Sequence, residues 1–240
     1  MKIYGHRGAR GEAPENTLPS FLHAYKHGIR YFELDLYLSK DHRLVVIHDE
    51  TVDRTTGKSG KISDFTAREL AEMDARKTKA WPAICPVPEL HNVVNACPEV
   101  MHWQFEVKTD DKNRLRLLCK ILINYIQQHS LENKVTITSA DTWFLQEVRR
   151  TNKTISTGYV AEFRFPEPVS KAKTIGANFL ILNWKLCSTK MLETAKQQGL
   201  EVSTWTVNRI DDMRKLQSMG IDSIITDYPT SALTHFEKQS

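Results

Sequence analysis

Acidic side chains are concentrated in two segments that have the composition of β-strands. Glu33 and Asp35 stand two residues apart within residues 31–36, and Glu106 lies within residues 103–107. Side chains at positions i and i+2 of a strand point to the same face, so Glu33 and Asp35 are predicted neighbours. Three carboxylates that face inward on adjacent strands repel one another and lose hydration unless something neutralises them. The pattern therefore predicts a site for one hard divalent cation, Mg²⁺ or Ca²⁺.

Histidines and basic residues end the neighbouring strand-like runs. His6 and Arg7 come at the end of the first run, next to Gly8, and His48 ends the third. Glycine lets a backbone and a guanidinium approach an oxyanion closely, so Arg7 is predicted to bind an anion. Imidazole titrates near neutral pH and suits proton transfer. Lys108, on the same strand as one of the carboxylates, could neutralise one of them but not three.

Four further residues allow two interpretations each. Glu15 and Asn16 precede the first predicted helix, and capping of that helix explains them as well as support of the site does. Trp205 can fill the interior of the fold or line a cleft. Asp227 is either part of the site or a turn residue.

Strand-like apolar runs recur along the whole chain, and most gaps between them carry helix signals. Alternating strands and helices predict a parallel sheet. Eight such units in about 250 residues is the size of a (β/α)8 TIM barrel, an α/β fold; a doubly wound open sheet is the alternative. The nine strand-like runs are residues 2–5, 31–36, 44–48, 103–107, 135–138, 156–160, 179–183, 201–207 and 223–226.

One junction between strands is too short for a helix. Only residues 40–43 separate the second run from the third, so these two runs are predicted to form an antiparallel hairpin. Removing the return strand leaves eight strands for the barrel. A turn centred between positions 41 and 42 would place His48 opposite Asp35. The active site of such a barrel lies at the carboxyl ends of its strands.

Residues 49–90 do not follow the repeat of strands and helices. They hold turn residues, a capping box at Thr66 and Glu69, a short helix and a proline-rich stretch. The segment is too small to bury a core of its own. We therefore expect one TIM-barrel domain over residues 1–240, with a small inserted cap segment at approximately 49–90, after the strand hairpin.

Composition narrows the class of protein. The 240 residues carry a net charge of +4 with 26% charged and 40% hydrophobic residues, as in ordinary soluble domains. Nucleic acid is not expected as a partner, because no basic run is interleaved with aromatic residues. No apolar window is long enough for an integral membrane segment, and the first residues lack a signal pattern. The expectation is a cytoplasmic protein, monomeric by default.

The motifs together resemble those of the glycerophosphodiester phosphodiesterase family, as found in single-domain bacterial members. The matching stretches occur in the family's order over nearly the whole chain. They are HRG at 6–8, PENT at 14–17, ELD at 33–35, HD at 48–49, RTTG at 54–57, EVK at 106–108, WTVN at 205–208 and TDYP at 226–229.

This resemblance implies a reaction and a role for each site residue. The enzyme would hydrolyse glycerophosphodiesters to sn-glycerol 3-phosphate and an alcohol with the help of a divalent cation. His6 and His48 would be the acid–base pair, and Arg7, Lys108 and Trp205 would contact the substrate. The cation would be held at Glu33, Asp35 and Glu106. His48 is favoured as the base and His6 as the acid, and the nucleophile is either water or the glycerol's own hydroxyl.

Other functions remain open at this stage. A related phosphodiesterase for lysophospholipids would need an apolar groove, which Phe163, Phe165 and Trp184 could supply. A barrel that only binds phosphorylated ligands would normally lack one of the histidines or carboxylates. A glycosidase would use paired carboxylates without histidines or a metal.

Overall fold

Eight parallel strands close into a barrel in the computed structural model, which describes residues 1–237. β1 pairs with both β2 and β9, and this closes the sheet, so the predicted (β/α)8 fold is confirmed and the open sheet is wrong. The strands are β1 (Lys2–His6), β2 (Tyr31–Leu38), β3 (Leu44–Val46), β4 (His102–Val107), β5 (Val135–Ser139), β6 (Ser156–Ala161), β7 (Phe179–Asn183), β8 (Glu201–Trp205) and β9 (Ser223–Thr226).

Helices connect the strands and surround the barrel. In chain order they are α1 (Leu18–Lys26), α2 (Asp53–Thr56), α3 (Ala67–Ala71), α4 (Leu90–Ala96), α5 (Lys112–Gln128), α6 (Thr142–Thr151), α7 (Pro168–Thr174), α8 (Thr189–Gln197), α9 (Ile210–Ser218) and α10 (Pro229–Glu237). No helix within residues 1–237 is long and apolar enough to cross a bilayer.

The longest helix, α5, shows how the sequence specifies these elements. The Asp111 side chain accepts hydrogen bonds from the backbone N–H groups of Asn113 and Arg114 and so caps the helix. Apolar residues then recur every three or four positions and form one buried face. That face comprises Leu115, Leu118, Cys119, Leu122, Ile123 and Ile126.

The main core lies between the outer face of the barrel and its helices. Phe32 and Trp103 stack on adjacent strands with ring centroids 5.4 Å apart, and Phe21 of α1 packs on both. Burial of such side chains stabilises the fold by about 1.5–3 kcal/mol each. A second apolar cluster, around Tyr4, contains residues of several strands and shares the face of β1 that carries His6.

The β2–β3 hairpin is antiparallel, as predicted, but its predicted register is wrong by one residue. The Ile47 N–H donates to the Asp35 carbonyl at 3.1 Å, so Ile47 and not His48 lies opposite Asp35. The reason is the turn, which has an odd number of residues. Ser39 and Arg43 close it, and His42 adopts a left-handed conformation with φ +60°.

The segment between β3 and α4 contains α2, a short 3-10 helix at Ile62–Asp64, and α3. The predicted Thr66–Glu69 capping box is present at the start of α3. Apolar residues of the segment pack on Tyr37 and Val45 of the hairpin and form a small cluster with them. The division into one domain with an insertion at about 49–90 stays a prediction.

Candidate active site

Three carboxylates meet at the carboxyl end of the barrel. The register pairs His6 of β1 with Glu33 of β2, and Asp35 of β2 with Glu106 of β4. One oxygen from each of Glu33, Asp35 and Glu106 can be chosen so that all three lie within 4.8 Å of one another. Glu33 and Asp35 are buried, and Glu106 is half-buried. The prediction that these three carboxylates lie close together is therefore confirmed.

The electrostatics of this cluster fit a hard cation. Burial, and then the charges of Asp35 and Glu106, raise the pKa of Glu33 well above its ordinary value. Glu33 Oε1 is buried without a hydrogen-bond partner. An oxygen in that position is costly unless it is protonated or bound by a cation. A set of three carboxylates with an unsatisfied oxygen is the donor chemistry that Mg²⁺ or Ca²⁺ prefers.

Lys108 partly compensates the cluster. Its Nζ lies 2.8 Å from Asp35 Oδ1 and also contacts Glu106. Burial alone would raise the pKa of Asp35, but the charges of Lys108 and Arg7 outweigh burial and hold it well below the ordinary range. Asp35 is therefore held in its ionised form, whereas no lysine or arginine side chain of the described residues lies within ion-pair distance of Glu33.

His6 is oriented by a carboxylate that directly follows the last barrel strand. Its Nδ1 lies 2.6 Å from Asp227 Oδ1, and Asn208 Nδ2 donates to the other carboxylate oxygen at 2.8 Å. The Nε2 of His6 lies 3.9 Å from Glu33 Oε2. Burial lowers the pKa of His6, although the bond to Asp227 opposes that shift. A neutral imidazole that donates from Nδ1 has a free lone pair on Nε2.

His48 is oriented by its own neighbour in sequence. Its Nδ1 lies 2.6 Å from Asp49 Oδ1, and Arg54 Nε donates to Asp49 Oδ2 at 2.5 Å. His48 follows the end of β3 and reaches the cavity from there, not through strand pairing with Asp35. Both histidines thus present Nε2 for chemistry while a carboxylate holds Nδ1.

Arg7 sits between several carboxylates. Its backbone N–H donates to Glu33 Oε2 at 3.0 Å, its Nη1 donates to Glu15 Oε1 at 2.7 Å, and its Nε lies 3.1 Å from Asp35 Oδ2. The residue is left-handed, with φ +51°. Such a conformation is uncommon outside glycine and is found at functional sites. Gly8 follows it with φ +86°, where a Cβ would come within 2.6 Å of the Ser20 hydroxyl.

Glu15 and Asn16 do not cap α1, because Thr17 does. Asn16 Nδ2 donates to Asp35 Oδ2 at 2.7 Å. Glu15 accepts from Arg7 and Arg54; burial would raise its pKa, but these arginines lower it to about 2. Both side chains therefore contact the charged groups of the site, as expected for residues that support it.

One cavity of about 610 Å³ brings the predicted site residues together. This volume suits a small organic ligand. Its charged and polar lining includes His6, Arg7, Glu33, His48, Glu106 and Lys108. Trp205 also lines the cavity, and its Nε1 is buried without a hydrogen-bond partner. Asp35, Glu15 and Asn16 lie behind these side chains.

Sequence reasoning did not assign a role to three residues that hold the histidines. Asp49 and Arg54 lie on the His48 side, and Asn208 lies behind Asp227 on the His6 side. Each stands inside a matching motif, so the signal was present in the HD, RTTG and WTVN stretches. Their contacts were not, because these contacts depend on how loops meet above the barrel.

The chain is similar in sequence to known proteins over nearly its whole length. The profile of the Glycerophosphoryl diester phosphodiesterase family matches residues 6–231. The chain is 32% identical over 240 residues to a glycerophosphodiester phosphodiesterase of Caldanaerobacter subterraneus, with 98% of each chain covered. It is 25% identical to a human lysophospholipase D, covering 95% of this chain and 84% of the relative.

A solved structure shares the fold. It is an Oleispira antarctica phosphodiesterase in complex with the product sn-glycerol-3-phosphate, with a TM-score of 0.91 at 23% identity. The alignment covers 99% of this chain and 97% of that one. From the profile match and the 32% identical relative, the chain belongs to the glycerophosphoryl diester phosphodiesterase family, a family of enzymes.

Proposed function

We propose that this protein hydrolyses glycerophosphodiesters to sn-glycerol 3-phosphate and an alcohol. The observation that carries the proposal is the pairing of two histidines in one cavity with a cluster of three carboxylates. Each histidine has its Nδ1 held by a separate carboxylate, which fixes the ring and leaves Nε2 for proton transfer. The names of the relatives support the substrate class.

Glu33, Asp35 and Glu106 would hold one divalent cation, Mg²⁺ or Ca²⁺. When bound, the cation supplies positive charge that stabilises the phosphoryl oxygens as negative charge grows on them. Lys108 and Arg7 border the same space and would bind the non-bridging oxygens, Lys108 as a point charge and Arg7 through its guanidinium. Trp205 would contact the substrate with its ring or its free N–H.

The surroundings of the two histidines favour the opposite assignment of acid and base. His48 was favoured as the base because a position beside the carboxylate-bound cation would make it harder to protonate, and the observed register no longer puts it opposite Asp35. His6 is the histidine next to the carboxylate cluster, and burial lowers its pKa. We therefore assign His6 as the base that takes a proton at Nε2 from the nucleophile. His48 then gives a proton from Nε2 to the leaving alkoxide.

Single substitutions of the histidines test this proposal. The wild type is expected to release glycerol 3-phosphate from glycerophosphoethanolamine or glycerophosphocholine. His6→Ala and His48→Ala should each lower kcat by at least about 100-fold. His23→Ala is a matched control, because His23 also pairs with a carboxylate, Glu12, but lies outside the cavity. Near-wild-type rates in both site variants would refute the mechanism.

A second candidate is hydrolysis of lysophospholipids, and one observation favours it. Phe163 and Phe165 line the cavity yet are 70% and 82% exposed, so they form an apolar edge at its mouth. An acyl chain on the glycerol unit could cover them. Trp184, the third aromatic expected in such a groove, packs against the main core and does not line the cavity.

Comparing two substrates separates the candidates. The double variant Phe163→Ala/Phe165→Ala should raise KM for lysophosphatidylcholine by about 10-fold if the edge binds a chain, and leave glycerophosphocholine hydrolysis unchanged. Ile84→Ala is the control, since Ile84 is 67% exposed but is not among the residues that line the cavity. Equal KM values for lysophosphatidylcholine in the wild type and the double variant would exclude this role for the edge.

A further inference from the structure

His48 depends on a partner that is itself exposed to solvent. The side chains of His48 and Asp49 are 32% and 28% exposed. Neighbouring residues in a loop that hydrogen-bond only to each other are free to turn together, because nothing else fixes either one. A third group is needed to hold this pair toward the cavity.

The guanidinium of Arg54 is that third group, and it also contacts a residue on the opposite side of the site. Its Nε donates to Asp49 Oδ2 at 2.5 Å. Its Nη1 and Nη2 donate to the two oxygens of Glu15 at 2.9 and 2.7 Å. One guanidinium thus bridges two carboxylates, with a bidentate contact to one of them. This planar fork cannot be reproduced by lysine.

Glu15 is a fixed anchor for this bridge. It is 4% exposed and also accepts from Arg7 Nη1 at 2.7 Å. A continuous series of charged contacts therefore runs from the anion-binding arginine on the β1 side to the histidine after β3. Glu15 belongs to the loop before α1, whereas Arg54 belongs to the segment after the hairpin.

The backbone around Arg54 is also held in place. Arg54 lies in α2, and Val52, the residue just before this helix, is fully buried in the small cluster on the hairpin. The Lys77 N–H donates to the Thr55 carbonyl, and the Lys77 ammonium donates to the Asp53 carbonyl, both at 3.0 Å. A guanidinium on such a support has little freedom to move away from its two carboxylates.

We propose that Arg54 is a positioning residue for catalysis: by bridging Glu15 and Asp49 it holds His48 in the orientation that proton transfer requires. The inference rests on the proposed function, because it assumes that His48 transfers the proton. Arg54 does not line the cavity, so it acts through Asp49 and does not touch substrate. Its loss is therefore expected to lower kcat and leave KM nearly unchanged.

Kinetics of Arg54 variants test the proposal. Arg54→Ala and Arg54→Lys are expected to lower kcat by about 10–100-fold with glycerophosphocholine, in the range seen when groups that orient a functional ligand are lost. Added guanidinium should restore part of the kcat of Arg54→Ala, because it can occupy the vacated space between the two carboxylates. Arg54→Lys keeps the positive charge there and is expected to fold as the wild type does.

Arg76 provides a matched control in the same segment. Its guanidinium also makes a bidentate contact, to Asp74, and donates to the Trp81 carbonyl, but none of its contacts with the described residues reaches His6 or His48. Arg76→Ala should keep wild-type kcat, and guanidinium should not change it. A kcat for folded Arg54→Lys equal to that of Arg76→Ala would overturn the proposal. If instead His48→Ala remains active, the proposed function itself has failed.

Discussion

His6 Nδ1 lies 2.6 Å from Asp227 Oδ1, although the two residues are 221 positions apart in the chain. The register explains the contact. β1 and β9 pair in parallel, with Gly5 beside Thr226. His6 and Asp227, the residues that follow this pair, are therefore neighbours as well. Closure of the barrel therefore joins a histidine from the first strand to a carboxylate that follows the last.

Removing the charge at this contact should impair proton transfer. Asp227→Asn keeps the shape but cannot stabilise an imidazolium at His6, so kcat is expected to fall by about 100-fold or more. Asp222→Asn is the control, because the Asp222 carboxylate accepts from the Val202 N–H, beside the amino end of β8. A wild-type kcat in Asp227→Asn would contradict the assigned role of the pair.

Cation binding should change which protein is more stable, the wild type or Glu33→Gln. In EDTA the variant should melt at the same temperature as the wild type or higher, since the raised pKa of Glu33 means that its charged form is disfavoured. With Mg²⁺ or Ca²⁺ at about 100 times Kd, the wild type gains about 2.7 kcal/mol and the variant much less. Thermal melts of both proteins, with Glu50→Gln as a surface control, check this order.

Acid should remove the stabilisation that Glu15 provides. The arginines around it lower its pKa from 4.5 to about 2 in the folded protein. A group with a depressed folded-state pKa stabilises above its unfolded-state pKa, and that stabilisation is lost as the pH falls toward the folded-state value. Near neutral pH the free energy of unfolding of the wild type should exceed that of Glu15→Gln by up to about 3 kcal/mol.

The pH dependence gives the decisive measurement for Glu15. The difference in unfolding free energy between wild type and Glu15→Gln should shrink between about pH 4.5 and about pH 2. Denaturant titrations across this range measure it. A difference that does not change with pH would show that Glu15 contributes through packing alone.

Packing of α5 against the barrel should dominate local stability. Leu122 is fully buried, so Leu122→Ala is expected to cost about 2–5 kcal/mol. Lys120→Ala, at an exposed position of the same helix, should change stability by less than about 0.5 kcal/mol. Urea denaturation of both variants tests this, and the two should keep normal kcat at temperatures where they are folded.

The positions of the acidic cluster were predictable because they depend on simple periodicity. Glu33 and Asp35 alternate with apolar residues in one strand, so they share a face in any sheet. A parallel barrel then needs only the adjacent strand to bring Glu106 beside them, as the observed pairing with Asp35 does. The functional roles of these residues stay predictions.

The surroundings of His48 were not predictable in the same way. Moving a hairpin register by one residue exchanges every cross-strand neighbour, and here the register depends on one left-handed residue, His42, in the turn. A histidine in a turn does not by itself specify that conformation. The Arg54 bridge and the contact between His6 and Asp227 join distant segments, and no local pattern specifies such contacts.

The most direct test of the account is release of glycerol 3-phosphate from glycerophosphoethanolamine and glycerophosphocholine, measured first in EDTA and then with Mg²⁺ or Ca²⁺ restored. The account predicts that release stops with chelator, returns with metal, and does not return in Glu33→Gln. Equal release with and without chelator would contradict the role of the carboxylates. No release by the folded protein with either metal would contradict the proposed reaction.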